Sequence, residues 1–209
     1  AQITYYSTVC STTLVRTVTV NPLPAIITGV MSICQGQSTT LSSSTSGGSW
    51  SSWSVTGTID PTSGVFTSLA PGTATVTYTI GTGCFRTAVV TINSLPGIIT
   101  GEHRICTGST TTLNSTPSGG TWSSSNSSVA TVGLSTGMVN GIAGGTAMIT
   151  YTTGAGCFET KTVTANPIPL PITGITSVCV GLATTLSNAT PGGTWSSDNM
   201  SRATVTSGT

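Results

Sequence analysis

The 209-residue sequence predicts an all-β chain of small antiparallel β-sandwiches set end to end as a rod. Three observations carry that expectation. In TATVTYTI, residues 73–80, Ala74, Val76, Tyr78 and Ile80 alternate with four threonines, the period of two that buries one face of a strand. No segment has helical periodicity, and Gly and Pro punctuate the strand-like runs. Finally, the chain repeats. NPLPAIITGVMSICQG, NSLPGIITGEHRICTG and NPIPLPITGITSVCVG begin at Asn21, Asn93 and Asn166, spaced 72 and 73 residues. Trp50, Trp122 and Trp195 keep that spacing, as do Cys34, Cys106 and Cys179, while Cys10, Cys84 and Cys157 form a second series at 74 and 73. A period of this size marks stacked supersecondary units.

Taken in order, residues 1–20 read as the last two strands of a unit. AQITYYSTVCSTTLVRTVTVNP aligns with AMITYTTGAGCFETKTVTANP from Ala147, placing Ala1, Ile3 and Tyr5 on Ala147, Ile149 and Tyr151, and Cys10 on Cys157 with one deletion. Residues 21–92 are a first unit, opening on Asn-Pro-Leu-Pro, whose fixed proline φ angles stiffen the joint, and closing on the turn GTGC from Gly81 and the strand AVVTI. Residues 93–165 are a second, closing on GAGC from Gly154 and KTVTA. Residues 166–209 hold the first strands of an incomplete third, through ATV at Ala203. Middle-unit residues 137–146 have no counterpart at either end. A half-sandwich exposes an apolar face and an unpaired edge, so residues 1–20 are expected to complete a neighbouring domain. That neighbour is either the next copy in a head-to-tail strand exchange, which generates a filament, or flanking sequence in a longer tandem array.

Composition excludes several classes of function. Charged residues are 4% of the chain, against about 25% in an average soluble domain. A net charge of +1 offers no basic surface for nucleic acid. No run reaches the roughly 18 apolar residues of a membrane helix. The surface is instead hydroxyl- and amide-rich, without the charge repulsion that keeps proteins apart. Five Lys/Arg positions (Arg16, Arg86, Arg104, Lys161 and Arg202) leave trypsin-like proteases few sites.

Six cysteines in register without C-x-x-C point to disulfides in an oxidising exterior. Cys10, Cys34, Cys84, Cys106, Cys157 and Cys179 are all assigned as structural, and with His103 as the single histidine no metal site is expected. One pairing joins Cys34 to Cys84 and Cys106 to Cys157 within units, leaving Cys10 and Cys179 to bond across a shared domain. The other links neighbouring units.

The remaining candidates have ordinary readings. Trp50, Trp122 and Trp195 read as core, as do Tyr5, Tyr78 and Tyr151 on the alternating apolar face. Trp53 breaks that register and is the candidate exposed aromatic. Asp60, Glu102, Glu159 and Asp198 are scattered over three units, too far apart for a carboxylate pair or a calcium site, and His103 reads as a solvated loop residue. No catalytic residue and no cofactor is expected. Asn114, Asn126, Asn188 and Asn199 head N-x-S/T glycosylation triplets; sugar there would fit an exterior fibre, but chance supplies such triplets in a chain this rich in Asn, Ser and Thr.

One stretch resembles a known family. TWSSSNSSVATVGLSTGMVNGIAGGTAMITY, residues 121–151, is similar to the bacterial Ig-like group 2 domains, whose signature runs W-S-S-x-N-x-x-V-A-T-V and then G-x-V-x-G-x-x-x-G-T-A-x-I. The first unit departs from it, with TGTID in place of SSVATV. The cysteine contexts SICQG and TGCF resemble the tandem Ig- or PKD-like repeats of large secreted surface proteins of Bacteroidetes-type bacteria. The resemblance implies tandem Ig-like antiparallel β-sandwich domains arranged as a rod, outside the cell, serving as spacer, adhesin or fibre. In an Ig-like strand order the two cysteine-bearing turns lie at opposite ends of a sandwich. A seven-residue strand spans roughly 23 Å, whereas disulfide Cα atoms approach within about 7 Å. That favours bonds between neighbouring units, for example Cys34 with Cys157. The expected role is a subunit or segment of an extracellular filament, its partners identical adjacent subunits or repeats. The alternatives are an adhesin stalk with an unnamed glycan or protein ligand, or a carbohydrate-binding accessory module of a secreted enzyme.

Overall fold

A computed structural model of the chain describes residues 1–206, and among them the regular elements are all strands. The chain opens with a hairpin, β1 (Gln2–Ser7) against β2 (Thr12–Thr17). The first sandwich follows, made of β3 (Ser32–Cys34), β4 (Ser38–Thr40), β5 (Ser49–Ser52), β6 (Gly57–Ile59), β7 (Val65–Ser68), β8 (Gly72–Thr79) and β9 (Phe85–Asn93). Its two sheets run β3-β9-β8-β5 and β4-β7-β6. The second sandwich repeats this with β10 (Arg104–Cys106), β11 (Thr110–Thr112), β12 (Thr121–Ser124), β13 (Ala130–Val132), β14 (Met138–Gly141), β15 (Gly145–Thr152) and β16 (Phe158–Asn166), in the orders β10-β16-β15-β12 and β11-β14-β13. Beyond it only β17 (Thr173–Gly174) and β18 (Leu186–Ser187) pair.

Alternation builds each core. Ala74, Val76 and Tyr78 of β8 and Val90 and Ile92 of β9 point inward, as do Ala147, Ile149 and Tyr151 of β15 and Val163 and Ala165 of β16. Threonines take the outer face, where β-branched side chains suit the pleat. Trp50 lies against Tyr78 with ring centroids 4.6 Å apart, and Trp122 against Tyr151 at 4.7 Å. Each tyrosine hydroxyl is fully used. Tyr78 accepts from Gly48 N and donates to Thr45 O at 2.7 Å; Tyr151 accepts from Gly120 N and donates to Pro117 O.

The first unit's departure from the repeat is a compensated swap. Gly57 stands where the second unit has Ala130, and Phe66 where it has Val139. A Cβ on Gly57 would sit 2.3 Å from the Phe66 ring. The large ring fits because Gly57, diagonal to it on the adjacent strand, carries no side chain.

Expectations for the flanking segments change. Tyr5, read as core, is 69% exposed, and Ile3 is 58% exposed where its repeat-mate Ile149 is fully buried. No strand among the described residues covers that hairpin face. Trp195 is half-buried rather than enclosed. Between Thr173 and Thr206, the pair β17–β18 is the only regular structure described.

Candidate functional site at the junction between units

The parallel pairing of β3 with β9 decides what the cysteines can reach. Cys34 lies opposite Asn93, at the far end of β9, while Cys84 immediately precedes Phe85 at its start. Nine residues of strand separate the two positions, about 30 Å, against the roughly 7 Å a disulfide tolerates. In the second unit Cys106 lies opposite Asn166, with Cys157 at the other end of β16. The within-unit pairing is therefore ruled out for both units on this topology. The structure makes the bond between units, Cys34 to Cys157, with Cα atoms 5.6 Å apart and 123 residues between them in sequence.

Two turns present these sulfurs. After Cys34 the chain reverses through Gly36 at φ +82°, a left-handed conformation that glycine adopts at no steric cost, and Gln37 N donates to Cys34 O at 3.0 Å. Cys157 closes the β15–β16 turn, where Thr153 N donates to Cys157 O and Gly156 takes φ +83°. This turn lies at the end of the second sandwich remote from Cys106, the end that meets Cys34 of the first. Cys157 is buried, as is Cys34, so the bond is shielded from solvent reductants.

The other four thiols are unbonded among the described residues: Cys10, Cys106 and Cys179 exposed, Cys84 half-buried. Their presentation follows the bonded pair. Ser109 N donates to Cys106 O at 3.0 Å and Leu182 N to Cys179 O at 3.1 Å, with Gly108 and Gly181 at φ +83°. Cys84 closes the β8–β9 turn as Cys157 closes its own, with Ile80 N donating to Cys84 O.

The remaining candidates do not converge. Trp53 stands 97% exposed on the loop after β5. Asp60 holds its own turn, its carboxylate accepting from the Ser63 and Thr62 backbone amides and hydroxyls. The Ser63 and Thr62 hydrogen bonds pull its pKa down to about 2. Glu102 accepts from the amides of Arg104 and His103, which hold its carboxyl below the ordinary carboxylate range. Among the described residues no three His, Cys, Asp or Glu side chains group to hold a metal ion, and no helix is long and apolar enough to cross a membrane. Asn114, Asn126 and Asn199 are exposed. Asn188 is half-buried and donates its amide to Leu170 O.

Residues 106–165 match the bacterial Ig-like domain (group 2). The matched stretch runs from Cys106 to the last core residue of β16, and the first unit reproduces the same strand order. No curated protein sequence matches the chain. Among solved structures, the chain is similar to a C-terminal 282-residue fragment of intimin, solved in complex with the intimin-binding domain of the translocated intimin receptor. Identity there is 17%, covering 73% of this chain and 67% of that one, with a TM-score of 0.49. It is also similar to domains 4 and 5 of the S-layer protein SbsC (18% identity; 70% and 100% covered; TM-score 0.35) and to murine CEACAM1b (8%; 68% and 100%; 0.35).

Proposed function

We propose that this chain is a load-bearing segment of an extracellular filament or surface fibre, built from Ig-like units that are covalently stapled to one another. The observation that carries this reading is the Cys34–Cys157 bond, which joins one sandwich to the next rather than bracing either internally. A module that only binds a ligand does not need such a link to carry load. A rod under tension does, because end-to-end force passes through sulfur and bypasses the 123-residue loop that contains most of both sandwiches. The rest of the molecule suits that role: an oxidising location for the disulfide, strands throughout, and a surface nearly without charge that permits close lateral contact.

Immunogold electron microscopy of producing cells, with antibody raised against residues 21–165, tests the proposal. Label distributed along extended fibres is expected. Label confined to a soluble secreted fraction, or to isolated points at the envelope, would overturn it.

A further inference from the structure

Two surfaces of this chain carry complementary parts of the pattern of one unit. The β1–β2 hairpin carries the sequence pattern of β15–β16, and its antiparallel register sets Ile3 against Arg16 as β15–β16 sets Ile149 against Lys161. In the second unit that hairpin supplies the two inner strands of the four-stranded sheet, flanked by β10 and β12. Residues 166–206 carry the sequence counterparts of those flanking strands, Val178–Cys179 and Thr194–Ser197, and neither stretch is paired in a sheet. Their apolar face is open: Ile172 is 60% exposed and Leu186 is 37% exposed, where the matching Ile99 and Leu113 are buried.

Resting on the proposed fibre, we infer that the β1–β2 hairpin of a second copy of this chain inserts into the sheet of residues 166–206, and that two disulfides then lock the copies together, Cys106 to Cys10 of the second copy and Cys179 to its Cys84. The cysteine assignment follows from the observed bond. Cys34 belongs to the turn after the first strand of its unit, and Cys157 to the hairpin turn of the unit that follows. Cys106 is the repeat-mate of Cys34, and the unit that follows it is the one built on residues 166–206, whose inserted hairpin carries Cys10. Cys179 is the next repeat-mate, and the unit after it is the second copy's first sandwich, whose hairpin turn carries Cys84. Every cysteine is then used once, and each junction between copies is crossed by two bonds. The same register seats Tyr5 on Trp195, as Tyr151 sits on Trp122. Neither segment supplies a counterpart of β14, the middle strand of the other sheet.

Each bond forms by removing two protons and two electrons from a pair of thiols. A small disulfide such as oxidised glutathione accepts the electrons and is reduced to two thiols.

The test uses the full 209-residue chain, refolded in a reduced and oxidised glutathione mixture. Non-reducing electrophoresis is expected to show a ladder in steps of 20.8 kDa that collapses to one band on reduction. Cleavage by trypsin and cyanogen bromide without reduction should yield fragment 105–138 joined to fragment 1–16, and a three-fragment species in which 32–86 is joined to 162–200 through Cys84 and to 149–161 through Cys34. The C10S/C84S variant should keep Cys34–Cys157 and lose the ladder, and Y5A should weaken reduced, non-covalent association at least tenfold by sedimentation. A chain extended after Thr209 by a second copy of residues 137–146, restoring the β14 counterpart, should associate more tightly. A monomeric chain with Cys34–Cys157 formed, a ladder that survives C10S/C84S, or Cys106 joined to any partner but Cys10 overturns the inference and leaves the fibre reading standing. Cys34 found joined to Cys84 would overturn the fibre reading itself.

Discussion

Reducing one bond should more than double the length to which this chain can be pulled. With force applied at the two ends, residues 35–156 lie inside the loop closed by Cys34 and Cys157 and carry no tension while the bond is intact. Only the flanking segments, residues 1–34 and 157–209, can be drawn out. Reduction releases 123 residues, which at about 3.3–3.6 Å per residue adds roughly 400–440 Å of contour. The same loop closure gives about 5 kcal/mol in the chain-entropy description of a cross-linked denatured state, so reduction should also lower the denaturant midpoint. Single-molecule force extension of a chain with handles at both termini, before and after reductant, reads the length directly. Within-unit pairing would instead release two loops, the first being Cys34–Cys84 with 50 residues (84 − 34), each adding about 165–180 Å. Two short increments, or no change on reduction, would refute the reasoning.

Other expectations follow from single side chains. Phe66→Ala empties the centre of the first sandwich, where that ring is fully buried, and should cost about 3–5 kcal/mol in urea unfolding; a loss under 1 kcal/mol would contradict the packing described. Tyr151→Phe strands the Gly120 amide and the Pro117 carbonyl and should cost about 1–3 kcal/mol. Asp60 has a folded pKa of about 2 against an ordinary 3.8. Its stabilising effect is therefore present above pH 4 and is lost as pH falls toward 2; Asp60→Asn should flatten that part of the urea-midpoint profile, and an unchanged profile would count against the turn. Trp53→Ala removes an aromatic that touches no core and should shift stability by less than about 0.5 kcal/mol.

Much of the fold was legible because the chain states it repeatedly. The alternation in TATVTYTI identified the inward face of β8, and the tyrosine of each unit was correctly set inside where its hairpin is covered, as at Tyr78 and Tyr151. Tyr5 has the same sequence context and lies exposed, because burial depends on a second sheet that local pattern does not reveal. The parallel pairing of β3 with β9 was not legible either. Three-residue strands such as SIC and RIC leave no periodic signal, yet this pairing carries Cys34 to the far end of the unit from Cys84. Sequence spacing therefore left two cysteine pairings open, and topology chose between them. The TGTID segment of the first unit looked like a loss of the repeat. It remains a strand because Gly57 yields the space that Phe66 fills. The Asp60 turn has a signal in Asp-Pro-Thr-Ser-Gly, a run of turn-forming residues, which spacing among the acids alone does not reveal.

The bond between units is most directly tested by a tryptic digest of the oxidised chain, kept non-reducing. Cys34 and Cys84 share the fragment 17–86, and Cys106 and Cys157 share 105–161, so only a bond between units can join these two fragments. Their recovery as one species, with Cys34 attached to Cys157, is expected. Recovery as two separate, internally bonded fragments would contradict it.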